Sequence, residues 1–257
     1  MINLESDFLA LDFDGVIADS IGECLVIGHN AYVEYTQAGQ QICRLEELNE
    51  THKAECRRLR NFIHSGEDYV YINLAIDNRV RIGNQQAYDS FVNKHLNLKD
   101  TFYDLFYRER ESFSSTNKEL WIELNPLYKG IKQFLLQYQS KERLFIITTK
   151  KIKYALKILT ANSIYLKEEN CFCTGGRDTK LTIIKNLLKK NKISSSNFYY
   201  IDDQVDTLIE IKESGVHCLL AEWGYTTGQQ ILRAGNENIP GIQLNDFLIQ
   251  FSAKLGL

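Results

Sequence analysis

The stretch from Leu9 to Ser20, LALDFDGVIADS, decides the fold. A continuous apolar run ends in two aspartates, Asp12 and Asp14, and Gly15 follows at once. Unbroken apolar character over a few residues is what a strand covered on both faces looks like. Two like charges at its end repel, so they persist only where something of opposite charge joins them. Asp-Gly is also a common turn pair, so the rest of the chain must separate the two readings.

Working outward, four further short apolar runs stand apart: LFIIT (Leu144–Thr148), CFC (Cys171–Cys173), FYYID (Phe198–Asp202) and HCLLA (His217–Ala221). Helical spacings lie between them, as in Ile152, Ala155, Leu156 and Leu159, and again in Leu181, Ile184, Leu187 and Leu188. Strand, helix, strand in repetition predicts right-handed crossovers and an α/β, doubly wound, Rossmann-like parallel sheet.

Between the first and second strands the pattern changes. Cys24, Leu25, Gly28, Ala31, Tyr32 and Tyr35 form one apolar stripe, and Phe91, Leu96, Leu98, Phe102, Leu105 and Phe106 suggest another helix. A structureless loop of about a hundred residues is foreign to a compact domain. The expected organisation is therefore a core made of residues 1–20 and 125–257, with a helical insert over 21–124. NPLYKG (Asn125–Gly130) marks the return, its proline placed near a helix start.

Composition bounds the rest. The chain has 257 residues, 44% hydrophobic and 25% charged, with a formal net charge of -3. That is an ordinary globular composition, and the charge is a poor match for a broad nucleic-acid surface. Neither a secretory leader nor a run of membrane-spanning length is evident. The six cysteines are scattered, and Cys171-x-Cys173 lacks the second pair of a zinc site. Reduced thiols, a cytoplasmic address, no membrane or nucleic-acid partner, and a monomer or homodimer are the expectations.

In an open parallel sheet, ligands sit beyond the carboxyl ends of the strands, and the polar residues gather there. The first strand ends in Asp12-Phe13-Asp14-Gly15 and the second in Thr148-Thr149-Lys150. TGGRDTK (Thr174–Lys180) follows the third, and the fourth ends in Asp202-Asp203, with Asp206 shortly after. One carboxylate can act as a nucleophile toward phosphorus, and a second can protonate the leaving oxygen and then deprotonate water. A hard cation such as Mg²⁺ relieves the repulsion among the acids. A threonine hydroxyl and a lysine can hold phosphoryl oxygens. Simpler roles compete: Thr148 and Thr149 as β-branched strand residues, Lys180 as a solvated helix lysine, and Asp202, Asp203 or Asp206 as helix-capping acids.

Taken together, DFDGVIADS, IITTK, IDDQVD and the lysine opening KLTIIKNLLKK resemble the haloacid dehalogenase-like hydrolase superfamily, in its capped, phosphoglycolate phosphatase-like branch. The likeness covers about residues 5–20 and 125–225, and the insert occupies the place of the family's cap. It implies Asp12 as nucleophile and metal ligand, and Asp14 as general acid/base with its backbone carbonyl on the metal. Thr148, with Thr149 beside it, would bind phosphate; Lys180 would steady the negative charge, and Asp203 would complete a Mg²⁺ site. Asp202 with Asp206 is the alternative alignment, since many relatives carry glycine then aspartate where this chain has Asp202-Asp203. The implied activity is hydrolysis of a small phosphorylated metabolite through an aspartyl-phosphate. A phosphomutase, or a non-catalytic phosphoryl-binding regulator, is the alternative.

In the insert, HKAECRRLR (His52–Arg60) reads as a solvated basic face, or as a source of guanidinium groups for an anionic substrate. HSGEDY (His64–Tyr69) is either a loop entering the site or a helix start. WGYTT (Trp223–Thr227), after the fifth strand, is either pocket rim or core.

Overall fold

The computed structural model describes residues 2–63, 65–175 and 178–252. His64 of HSGEDY, and Gly176 and Arg177 of TGGRDTK, fall outside the described residues. The chain divides into two compact units, Met1–Asp19 with Leu127–Leu257, and Ser20–Pro126.

The first unit opens with β1 (Phe8–Leu11). The chain then builds the second unit from α1 (Ile21–Thr36), α2 (Glu50–Leu59), α3 (Asp68–Asp77), α4 (Gln85–Lys94), α5 (Lys99–Thr116) and α6 (Lys118–Glu123). Returning to the first unit, it forms α7 (Ile131–Tyr138), β2 (Leu144–Thr148), α8 (Ile152–Ala161), β3 (Cys171–Cys173) and α9 (Lys180–Lys190). β4 (Phe198–Asp202), α10 (Val205–Lys212), β5 (His217–Ala221), α11 (Gly228–Asn236), β6 (Gly241–Ile242) and α12 (Leu244–Ser252) complete it.

The six strands form one sheet in the order β3-β2-β1-β4-β5-β6, every neighbouring pair parallel. This is the doubly wound α/β fold that the apolar runs predict. The run of strands misses only β6, whose two residues are too short to leave an apolar signature. On one face Ala10, Phe145, Phe198 and Leu220 pack with Ile184 of α9 and Leu208 of α10. On the same strands Leu9, Leu11, Ile146 and Ile201 are also fully buried, so both faces are covered. Each such side chain gains about 1.5–3 kcal/mol from leaving water, which is why these strands read as unbroken apolar runs rather than alternating ones.

Two expectations are corrected. α7 begins at Ile131, with Gly130 as its N-cap at φ +86°, so Pro126 stands in the connection and not in the first turn of the helix. The stripe from Phe91 to Phe106 is not one helix: α4 stops at Lys94, a single 3₁₀ turn covers Leu96–Leu98, and α5 starts at Lys99. His95 ends α4 with its ring bonded back to the Phe91 carbonyl, so the stripe continues across a break.

The helical unit is tied together by an ion pair out of solvent. Arg110 of α5 donates from Nε and Nη2 to the two carboxylate oxygens of Glu23 of α1, at 2.7 and 2.8 Å. Trp121 of α6 donates its indole N–H to the same carboxylate at 3.2 Å. In α2, Asn49 caps the helix by accepting from the Thr51 N–H at 2.8 Å. Arg57 and Arg58 are exposed, and Arg58 pairs with Glu55 one turn back. Among the described residues, no helix is long and apolar enough to cross a membrane.

Candidate active site

The site begins with strand register. Leu11 of β1 is the partner of Ile201 of β4, so the next residues along, Asp12 and Asp202, emerge beside each other at the carboxyl edge of the sheet. The Asp12 N–H donates to the Ile201 carbonyl and carries the pairing one step past the last strand residue of β1. β1 and β4 are the central pair, where the winding of the sheet reverses, and crevices at such a point are where ligands enter.

Past Asp14 the backbone must turn within one residue. Gly15 takes φ +87°, and a Cβ there would stand 2.2 Å from Asp203 Oδ2. Gly224, after β5, approaches as closely: a Cβ would lie 2.4 Å from the Gly15 carbonyl oxygen. Only two glycines let these loops meet over Asp203. The loop after β5 then holds that acid, the Tyr225 N–H donating to Asp203 Oδ2 at 2.9 Å. Trp223 donates its indole N–H to the Val16 carbonyl, and Tyr225 its hydroxyl to Asp19. WGYTT is therefore a clasp on the loops around Asp12 and Asp203.

Asp12, Asp202 and Asp203 are all buried, and each offers a carboxylate oxygen within 4.8 Å of the others. Lys180, the first residue of α9, reaches between them, its ammonium 3.1 Å from Asp12 Oδ2 and 2.7 Å from Asp202 Oδ2. Thr179 caps that helix and fixes where it starts. Tyr200, two residues before Asp202 and so on the same face of β4, donates its hydroxyl to Asp202 Oδ2 at 2.6 Å. The other Asp202 oxygen accepts from the Gln204 N–H. Both oxygens of Asp202 are thus spoken for.

Asp12 differs. Its Oδ1 is buried and accepts no hydrogen bond among the described residues. Burial pushes its carboxyl up to about 7, against the pull of the Lys180 ammonium, with the charges of Asp202, Asp203 and Asp14 adding to the rise. Lys180 is held above the ordinary lysine value: burial disfavours its charge, but Asp12 and Asp202 more than offset it.

Thr148 ends β2 fully buried, and its hydroxyl oxygen accepts the Lys150 N–H at 3.1 Å. Among the described residues its own proton meets no acceptor. Thr149 is exposed. Lys150, buried, turns back across the strand ends to Asp14, its ammonium 3.0 and 3.3 Å from the two carboxylate oxygens. Asp206 lies apart: exposed on α10, it pairs with Arg233 of α11.

The fold therefore brings Asp12, Asp14, Thr148, Lys180 and Asp203 to one end of the sheet, and leaves Asp206 on the surface. Sequence reasoning placed Lys150 at a strand end and WGYTT at the rim or in the core without giving either a role, and it missed Tyr200. Tyr200 carried a signal in its i, i+2 relation to Asp202 on a strand. Lys150 carried none beyond following Thr148, because its direction depends on a turn.

The donor set fits a hard divalent cation. All of its candidate ligands are oxygens, and the Asp12 Oδ1 is a buried acceptor lacking a hydrogen-bond donor among the described residues. Among the described residues four carboxylates, Asp12, Asp14, Asp202 and Asp203, face two ammoniums, Lys150 and Lys180, an imbalance that such an ion would remove.

No protein-family model matches the sequence, and no curated protein matches it. Solved structures do resemble it in fold. A haloacid dehalogenase-like family hydrolase from Streptococcus pneumoniae superposes with a TM-score of 0.60 at 14% identity, covering 97% of this chain and 100% of its own. A protein described as a predicted phosphoglycolate phosphatase, from Haemophilus somnus, gives 0.60 at 14% identity over 96% of this chain and 97% of its own. A predicted phosphatase from Clostridium acetobutylicum gives 0.57 at 14% identity over 96% and 99%. At that identity the likeness is one of architecture, and the architecture is that of the haloacid dehalogenase-like hydrolases.

Proposed function

We propose that this chain is a haloacid dehalogenase-type phosphatase, a Mg²⁺-dependent hydrolase that cleaves a small phosphorylated metabolite through a phosphoryl group carried on Asp12. The observation that carries it is the environment of Asp12. One carboxylate oxygen is bonded to Lys180, and the other is buried, accepts from no donor among the described residues, and lies close to two further acids. Such an oxygen is costly to keep unless it bonds an electrophile or an ion in use. The hydrolase and phosphatase descriptions of proteins sharing the fold support the same reaction class.

In the first step Asp12 Oδ1 attacks phosphorus as the bond to the leaving oxygen breaks, and Asp14 gives that oxygen a proton. In the second, Asp14 takes a proton from water as the water oxygen attacks phosphorus. The bond to Asp12 then breaks, freeing inorganic phosphate and restoring the carboxylate. Lys180 balances charge at Asp12, and the Thr148 hydroxyl donates to a phosphoryl oxygen. Asp12 and Asp203, with the main-chain carbonyl of Asp14, would hold Mg²⁺. When bound, the ion offsets the charge of the acids and of the phosphoryl oxygens.

The test is a panel of phosphate esters assayed with and without Mg²⁺, with Asp12→Asn as the blank. Release of inorganic phosphate from at least one ester is expected, lost in chelator and lower by at least about 1,000-fold in Asp12→Asn. Comparable turnover by Asp12→Asn would overturn the mechanism. Turnover indifferent to chelator would remove the metal.

A further inference from the structure

We infer that Lys150 is the positioning residue for Asp14, holding its carboxyl where it can deliver a proton to the leaving oxygen. The inference rests on the phosphatase mechanism above and adds a residue to it.

Three contacts carry the assignment. The Lys150 N–H is held by the Thr148 hydroxyl at 3.1 Å, which fixes the turn leaving β2. The side chain then runs back with no solvent exposure, its ammonium 5.9 Å from the centre of the fully buried Phe13 ring. It ends 3.0 and 3.3 Å from the two oxygens of Asp14, whose own side chain remains 24% exposed.

One ammonium facing both oxygens restrains the carboxyl about its last two bonds, because each rotamer departing from this one loses a contact. Proton delivery requires the carboxyl within hydrogen-bond reach of the leaving oxygen, and small misplacements are expensive. A buried ammonium is itself costly unless paired, and the pairing with Asp14 offsets that cost. Lys180 cannot serve instead, since its ammonium is engaged by Asp12 and Asp202.

A residue acting through the general acid is recognised by the leaving group. An alkyl phosphate must be protonated as it departs, whereas p-nitrophenolate leaves readily without help. The experiment compares kcat/KM of wild type, Lys150→Met, Asp14→Asn and the double variant on an alkyl phosphate turned over by the wild type and on p-nitrophenyl phosphate, with circular dichroism checking the fold. In Lys150→Met the alkyl ester is expected to lose at least about tenfold more than the aryl ester, a modest part of what general acids contribute. Adding Lys150→Met to Asp14→Asn is expected to change nothing further. If Lys150→Met does not fold, Lys150→Gln, polar but without the ammonium that faces both Asp14 oxygens, carries the same comparison.

Equal losses on both esters would mean that Lys150 acts elsewhere, on the phosphoryl group, and would overturn the inference. So would a further loss in the double variant. A wild type that hydrolyses neither these esters nor the wider panel would bring down the phosphatase mechanism itself, a result distinguishable from either.

Discussion

Gly15 and Asp203 come so close that a single added methyl group has nowhere to go. A Cβ on Gly15 would lie 2.2 Å from Asp203 Oδ2, and the residue sits at φ +87°, where any other L-residue is strained. Gly15→Ala is therefore expected to lower stability by about 2 kcal/mol or more, strain and overpacking together. It should also abolish phosphatase activity by displacing Asp203. Gly235→Ala is the control, since a Cβ there meets nothing within 4 Å. It should be neutral or stabilising in the same urea titration.

The carboxyl of Asp12 makes metal-free stability depend on pH with a definite sign. Its value in the fold is about 7, raised mainly by burial from a reference of 3.8. A raised carboxyl favours the folded state while it is protonated. That contribution is complete below about pH 4 and is lost as the pH climbs through 7. In chelator, Asp12→Asn should thus melt above the wild type at pH 8, with the difference vanishing near pH 4. Mg²⁺ should raise the wild-type Tm at pH 8 and leave that of Asp12→Asn nearly unchanged. Equal Mg²⁺ stabilisation of both proteins would remove Asp12 from the ion's ligands.

Asp203 and Asp206 are separated by three positions in sequence and by very different surroundings. Asp203 is buried against the clasp from Tyr225, whereas Asp206 is exposed and paired with Arg233. Asp206→Asn should shift stability by less than about 1 kcal/mol, as exposed pairs do, and leave Mg²⁺ binding intact. Asp203→Asn should eliminate Mg²⁺ binding measured by calorimetry.

The helical unit depends on its buried pair. Arg110→Met leaves the Glu23 carboxylate, fully out of solvent, without its main partner. A cost of about 3–5 kcal/mol is expected, much of it recovered when Glu23→Leu is added. The chain has two tryptophans, Trp121 in the helical unit and Trp223 in the other. In a Trp223→Phe background, the emission of Trp121 follows the helical unit alone and reads this effect directly.

The sheet was legible because burial on both faces forces unbroken apolar runs such as LFIIT and FYYID, whose ends match β2 and β4. The acids were legible because Asp12 and Asp203 directly follow such runs. What stayed hidden depends on direction and not on order. Asp202 and Asp203 are adjacent, so they point to opposite sides of the chain: one is engaged by Tyr200 and Lys180, the other by the loop after β5. Sequence spacing ranks neither above the other. The direction of Lys150 was equally hidden, since its side chain follows a turn set by one hydroxyl. In the helical unit, the buried Glu23–Arg110 pair joins residues nearly the whole insert apart, and a pattern of apolar periodicity says nothing about where two charges will meet.

Leu11 waits for Ile201, a partner encoded beyond the whole helical unit, β2 and β3. Contacts between such distant residues form slowly, while a contiguous segment can fold as it emerges. During synthesis the helical segment therefore emerges while β1 still lacks both neighbours, and β1 is not flanked on both sides until β2 and β4 have followed. Asp12, Asp202 and Asp203 come together only when that closure is made, so the chain cannot assemble its chemistry before Asp203 has been translated.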